Sequence, residues 1–422
     1  MTRRGGREPF YGWIVVSSLS LTQVVSWGVV YYGFAVFMAP IARELGWSQT
    51  QIAGAFSLAV LASAVSALPI GHYIDRHGAR RVLLIGSCGA VLLLIAWARV
   101  QTLTAFYAIW CGMGLVMAAS LYEPAFAVAV AWFVRRRALA LTILTSVGGL
   151  ASTIFVPAIA AAIDAWGWRA TLLCLAGLLG IVNVPLYAFV VRSRPADLRM
   201  RPDGDGDATS VARAATAPAA SARSVQWTPD AAWLLAVIFG LSSVSSAVAA
   251  VHVFPFLVEH GFTTQSAALG VAAVGAAQVP ARLTFGAVAR FLPTPWIAPS
   301  IFLMQALGFA CLGFASRTPV FVGLFAILFG FANGLTTLVR SMLVAERFDL
   351  ARYGSISGTI AFCGQLGRAA GPIAAAWLAT AWRYEPVWWG LAGVLCIGAA
   401  AMRFIERRAA DALVISEPEP SI

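Results

Sequence analysis

Five ionisable side chains stand inside long apolar stretches of this 422-residue sequence: Glu123, His252, Arg282, Arg340 and Arg368. Charge inside an apolar helix is expensive and marks function by default. Three guanidiniums face one carboxylate, so two cations remain unmatched even if Glu123 neutralises the third. A buried cation without a counter-charge is strongly destabilising. An anion supplied from outside would relieve that cost, held by the bidentate hydrogen bonds that suit a carboxylate or phosphate. Arg282 follows Gln278 by four residues, which puts both on one helical face. Arg368 follows Gln365 by three, again on one face; its alternative is a structural pair with Glu123. Arg340 either joins the anion site or snorkels to the nearer end of its helix. Glu123 precedes Pro124, whose missing N–H frees a carbonyl and permits a bend. It either carries a proton or neutralises an arginine. His252 is a proton relay or a hydrogen-bonded packing residue. Tyr31, Tyr32, Tyr122 and Asn333 are the neutral polar candidates for lining a cavity, because a phenol can donate to a carboxylate.

Other chemistry is poorly supplied. All 29 basic residues are arginine, so lysine Schiff bases and amine nucleophiles are excluded. Of four histidines only His252 falls in an apolar stretch, too little for metal or acyl-transfer catalysis; an enzyme is not expected. Cys88, Cys111, Cys174, Cys311, Cys363 and Cys396 stand singly, without metal-ligand or disulfide spacing, and no metal or other cofactor is expected. The chain has no G-x-x-x-x-G-K-[ST] run for ATP. A net charge of +11 suggests nucleic acid, but no soluble domain carries a basic stripe, and that partner is set aside.

The elements that must position these residues are membrane spans. Hydrophobic residues make up 60% and charged residues 11%, with mean hydropathy +0.81. Soluble domains run near 45–50% and about 25%. At roughly 20 residues per span, the apolar content fills about twelve helices. The sequence places them at 11–39, 50–71, 82–98, 102–133, 138–163 and 168–191, then 231–258, 264–289, 295–316, 319–345, 353–380 and 384–404. The first apolar run exceeds a signal-peptide core and is expected to be a retained anchor. With both termini cytoplasmic, the outer loops hold only Arg43, Arg99, Arg169, Arg317 and Arg383, and most arginines fall inside. The expected organisation is a cytoplasmic tail (1–10), a six-helix bundle (11–191), a cytoplasmic linker (192–230), a second six-helix bundle (231–404) and a cytoplasmic tail (405–422). The linker mixes arginine, aspartate, glycine, alanine, serine and proline and reads as flexible.

The loop after the second span reads Gly71-His72-Tyr73-Ile74-Asp75-Arg76-His77-Gly78-Ala79-Arg80-Arg81. Gly71 permits close helix approach and Gly78 a tight turn, while Asp75 suits a helix N-terminus or an arginine partner. Gly71, Asp75, Arg76, Gly78, Arg80 and Arg81 together resemble the cytoplasmic gate signature of the major facilitator superfamily. The matching stretch of the second half, Arg282 to Arg290, keeps Gly286 but has no aspartate. Tyr11-Gly12-Trp13, Tyr31-Tyr32-Gly33, Trp132-Phe133 with Arg135-Arg136-Arg137, and Gly167-Trp168-Arg169 are similar to the monocarboxylate-transporter and oxalate–formate branch.

The resemblance implies an all-α membrane protein of twelve helices in two pseudo-symmetric bundles that rock about a midplane site. It implies a secondary transporter for a small organic anion, with a monocarboxylate foremost, coupled to protons or a counter-anion. In related carriers the helix-eight arginine binds the substrate carboxylate, which points to Arg282. Animal members carry a lysine where this chain has Tyr32 and an aspartate where it has Gln278, so their proton coupling does not transfer directly. The expected setting is the lipid bilayer of the plasma (inner) membrane, multi-pass, with a monomer sufficient for transport. Proton-coupled efflux of drugs or metabolites, and a transporter-like sensor, are the alternatives.

Overall fold

The computed structural model describes residues 10–204, 229–291, 294–314 and 318–415. Most of the N-terminal tail, linker residues 205–228 and the tail from 416 lie outside the described residues. Ten stretches are long and apolar enough to cross a membrane. One of them, Arg137–Val190, is 54 residues long and breaks at Gly167 (φ 78°, ψ 160°), so it is two helices. Tyr353–Trp382, a further helix of 30 residues, brings the described residues to twelve long helices.

In chain order these are α1 (Tyr11–Leu45), α2 (Gln49–His77), α3 (Ala79–Ala98), α4 (Leu103–Trp132), α5 (137–166) and α6 (168–190). Then follow α7 (Pro229–Glu259), α8 (Thr264–Phe291), α9 (Thr294–Gly313), α10 (Val320–Arg347), α11 (Tyr353–Trp382) and α12 (Glu385–Ile415). Local chemistry sets several ends. Ser48 and Gln51 form a capping box at the start of α2, and Thr102 accepts from the Ala105 N–H at the start of α4. Gly78 (φ 80°) makes the turn from α2 to α3, a conformation that glycine adopts without a Cβ clash.

Helices α1 and α4 depart from the expected continuous spans, and α5 carries a turn at Gly149 and Leu150. The 102–133 stretch, expected as one helix, breaks at Leu121 (φ −85°, ψ −157°). Pro124 supplies no N–H to the Ser120 carbonyl four residues back, and the Gln23 amide donates to that carbonyl instead at 2.9 Å. In α1, residues Trp27–Tyr32 widen into a π-helical segment, which brings three aromatic rings round one turn. A third correction concerns α5 and α6. The gap expected at 164–167 is helical up to the single break at Gly167.

The helices fall into two compact units. The first holds Met1–Phe56 and Tyr73–Ala220, the second Ser57–His72 and Ser221–Ile422, so the middle of α2 packs with the second unit. The first unit is cored by rings: Phe34 lies 4.4 Å from Trp110, Trp97 4.9 Å from Trp110 and Phe37 5.0 Å from Trp97. Each such pair adds about 0.5–1.5 kcal/mol beyond its buried area. The second unit relies more on close backbone approach. Gly330 and Gly334, one turn apart on α10, lie against Val274 and Gln278 of α8. Trp388 is wholly buried and stacked on Tyr384 at 5.7 Å. Trp389 is exposed, as a belt residue should be.

Candidate functional site

The gate-motif residues divide between the units. Gly71 lies against the backbone of Gly354 and Ser355, where α11 begins. Asp75 sits in the last turn of α2 rather than at a helix N-terminus, and its carbonyl accepts from Arg194 at 3.3 Å. Arg80 reaches the end of α6: its Nε donates to the Tyr187 carbonyl at 3.0 Å, and a second nitrogen donates to the Ala188 carbonyl. Arg76 and Arg81 are exposed. Gly78 packs on Ser193, whose hydroxyl takes the Arg80 N–H at 3.1 Å. Half of the motif therefore fastens the α2–α3 turn to the exit from α6.

The other short motifs of the first unit are fasteners too. Tyr11 donates to the Val190 carbonyl, Trp132 donates to the Arg192 carbonyl, and Trp13 lies 4.6 Å from Phe133. Arg169 pairs with Glu44 at 2.9 Å and donates to the carbonyls of Ala98 and Val100, while Trp168 donates to the same carboxylate. The carboxylate of Asp203 accepts from the N–H groups of Val134, Arg135 and Arg136. The linker thus opens as a cap on the α4–α5 turn, which its composition did not announce.

The irregular turns of α1 and α4 bring the first unit's candidates together. Trp27 lies 5.1 Å from Tyr31, 5.9 Å from Tyr32 and 4.9 Å from Tyr122. Tyr122 stacks on Phe126 and its hydroxyl sits over Gly148 of α5. Glu123 occupies the first turn of the half-helix after the Leu121 break, where the amide dipoles favour a carboxylate.

In the second unit, Arg282 and Gln278 meet as their spacing requires, with a guanidinium nitrogen 3.4 Å from Gln278 Oε1. Arg282 Nε also donates to the Gly334 carbonyl at 3.4 Å, which sets the guanidinium beside the α10 turn that carries Asn333. Gly334 has no side chain because a Cβ there would stand 2.8 Å from the Gln278 backbone. Asn333 Oδ1 accepts from Ser246 at 2.7 Å. Behind it runs a network that sequence reasoning missed. Ser242 donates to Gln305 Oε1 at 2.9 Å, and Gln305 donates to Thr336 at 3.2 Å. Gln305 is fully buried, and such neutral polar residues carry no sequence signal comparable to a charge. Arg340 lies partly buried two turns beyond Asn333 on α10. Arg368, midway along α11, is exposed; it donates to Gln365 Oε1 at 3.1 Å and meets no carboxylate among the described residues. A buried pair also escaped notice: Arg347 and Glu406 join at 2.9 Å.

His252 lies elsewhere in this unit. It is 7% exposed, and its Nε2 donates to the Pro372 carbonyl at 2.9 Å. That bond places the proton on Nε2, so Nδ1 accepts from the Tyr384 hydroxyl at 3.2 Å. Tyr384 in turn lines a cavity of about 440 Å³ with Glu259, His260, Arg383 and Glu385.

Among the described residues, ten long apolar stretches with polar clusters inside them mark a polytopic membrane protein. The family model described as Major Facilitator Superfamily matches residues 19–372 and 253–420, and the chain belongs to that superfamily. It is 27% identical over 309 residues to monocarboxylate transporter 11 of Mus musculus, covering 72% of this chain but only 65% of that protein's length. It is 28% identical to the oxalate:formate antiporter of Oxalobacter formigenes over 170 residues, 39% of this chain and 38% of that one. These relatives mark the monocarboxylate-transporter-like branch. Among solved structures, the human organic anion transporter MFSD10 (TETRAN) superposes with TM-score 0.70 at 17% identity, covering 94% of this chain and all of that one, and shares the fold.

Proposed function

We propose that this transporter carries a small organic anion, most simply a monocarboxylate, by alternating access coupled to protons or to a counter-anion. Arg368 is the observation that carries the reading. It stands mid-helix on α11, exposed, with a glutamine as its hydrogen-bond partner. A guanidinium turned to lipid at that depth costs about 3 kcal/mol or more. Its open face therefore has to border water, and a cation bordering water inside a carrier is a ready anion site. Arg282 is the principal ligand in this reading, with Arg368 assisting. Gln278 and the Gly334 carbonyl aim the Arg282 fork.

Asn333 precedes Gly334 on the same turn of α10 and is held by Ser246; it is the proposed contact for the second carboxylate oxygen. In the first unit, Tyr32 and Tyr122 are the proposed substrate contacts, and Glu123 carries a proton or balances charge. Arg340 serves charge pairing, and His252 serves proton coupling. Gly71, Asp75, Arg76, Gly78, Arg80 and Arg81 form the cytoplasmic gate. The setting is the inner membrane with both termini cytoplasmic. The names of the relatives, monocarboxylate transporter and oxalate:formate antiporter, support the substrate class.

The test is thermal stabilisation of the purified protein by a panel of mono- and dicarboxylates, followed by counterflow of the best ligand in proteoliposomes. Saturable stabilisation that disappears in Arg282→Gln is expected. Equal stabilisation of that variant removes the site, and stabilisation by lipophilic cations instead transfers the reading to drug efflux.

A further inference from the structure

The cavity bounded by Glu259, His260, Ala376, Ala379, Arg383, Tyr384 and Glu385 lies where α7 and α11 end and α12 begins, away from Arg282 and Asn333. Its hydrogen bonds contain a proton count. His260 Nδ1 faces the Phe256 carbonyl at 2.8 Å, and Nε2 faces a Glu385 carboxylate oxygen at 3.3 Å. Both acceptors lack a proton when Glu385 is ionised, so the imidazole satisfies both only by carrying two. An extra proton on this pair would lie between His260 Nε2 and the Glu385 carboxylate.

Next along the cavity wall is Tyr384. Its ring is fixed between Phe256 (5.8 Å) and Trp388, and its hydroxyl points back to His252 Nδ1. Burial, and then the Glu259 carboxylate, hold this phenol above its ordinary value, so it stays a donor through the physiological range. Arg383 before it has φ 68°, a strained conformation for a non-glycine residue.

We propose that this cavity is a proton port and that His252 is the site it loads, deepening the proton-coupled form of the anion reading on which it rests. The groups facing the path are Glu259 on α7, His260 at its end, Arg383 and Tyr384 between α11 and α12, and Glu385 on α12; α11 contributes the Pro372 carbonyl. A proton from the His260–Glu385 pair, or from water in the cavity, adds to the Tyr384 oxygen as the phenolic proton passes to His252 Nδ1. Tyrosine is neutral before and after. His252 becomes an imidazolium that donates from Nε2 to Pro372 and from Nδ1 to Tyr384.

The charge then sits against α11 at a sensitive turn. Pro372 supplies no N–H to the Arg368 carbonyl one turn back, so the helix lacks a backbone hydrogen bond between these two residues. Protonation at His252 therefore acts on the turn that positions the proposed anion-binding Arg368.

The test uses the full chain in lipid nanodiscs with carbon-labelled histidine, the resonances being assigned by single substitution of His72, His77, His252 and His260. The His252 resonance should show the Nε2–H tautomer at the highest pH sampled and gain a second ring proton as the pH is lowered across the sampled range. Tyr384→Phe, which keeps the ring stack, should move that midpoint. A His252 that stays neutral across the range, or that titrates identically in Tyr384→Phe, overturns the port.

In proteoliposomes with formate, propionate and oxalate as probes, His252→Gln should lose acceleration by an inward pH gradient while its anion exchange falls far less. Retained gradient acceleration in both His252→Gln and Tyr384→Phe also overturns it. If the wild-type protein moves none of the three probes, the anion reading fails, and the histidine titration alone decides the port.

Discussion

In the first unit Arg80, Arg169 and Asp203 each close on main-chain groups, while in the second Arg282 and Arg368 lean on the amides of Gln278 and Gln365. The first pattern satisfies helix ends that would otherwise keep bare carbonyls or N–H groups. The second pattern orients a guanidinium through an amide oxygen, which itself carries no net charge. Arg347 and Glu406 show what neutralisation looks like in that same unit. Charged residues of one type thus do different work, and the partner rather than the residue distinguishes them.

The largest expected effect tests the second pattern. Arg282→Gln removes a cation that no neighbouring amide can replace, and truncating a hydrogen-bonded charge in a site costs about 2–5 kcal/mol. Carboxylate affinity should fall by roughly 30-fold or more, read by thermal stabilisation, while the melting temperature without ligand holds. Loss of the fold in place of affinity would make Arg282 a fastener like Arg80. Gly334→Ala probes the same turn from behind. Its Cβ must displace the Gln278 backbone, an overpacking of about 1–3 kcal/mol. Because the Gly334 carbonyl holds Arg282, both melting temperature and carboxylate affinity should drop; affinity unchanged would separate the α8–α10 contact from binding.

The contrary outcome is expected in the first unit. Arg169→Ala loses one carboxylate partner and two carbonyl bonds, and hydrogen bonds to a charged group contribute about 1.5–3 kcal/mol. Partial exposure reduces this to about 1–2 kcal/mol. Stability should fall without a change in substrate affinity, measured on the same ligand panel. A change in affinity would show that the two patterns are not separable.

How much of this was legible beforehand follows from range of action. The twelve helices and the turn at Gly78 are local: apolar length and a glycine in a charged loop suffice to find them. The pairing of Gln278 with Arg282 is local too, one turn apart. The break at Leu121 was half legible, since Pro124 announced a freed carbonyl but not that Gln23, 97 residues away, would take it. The burial of Trp388 and the Gln305 network were illegible for the same reason. An indole on an apolar helix reads alike towards lipid or core, and a serine or glutamine reads as polar filler until a partner on another helix is known. The role of the Gly167-Trp168-Arg169 motif was hidden in the same way, because Glu44 and the Ala98 carbonyl lie on α1 and α3.

The smallest effect sharpens the comparison most finely. Asp203 accepts three N–H groups at the α4–α5 turn, yet the turn is exposed and water can take its place. Asp203→Ala should therefore cost only about 0.5–1 kcal/mol, below the resolution of uptake kinetics. It should be visible as faster tryptic cleavage after Arg135 or Arg136, because a turn that loses its shared acceptor opens more often. A cleavage rate equal to the wild type would mean that the turn is held by Phe133 and the aromatic cluster alone. Loss of uptake at intact stability would place this carboxylate with the working groups of the second unit rather than with the fasteners of its own.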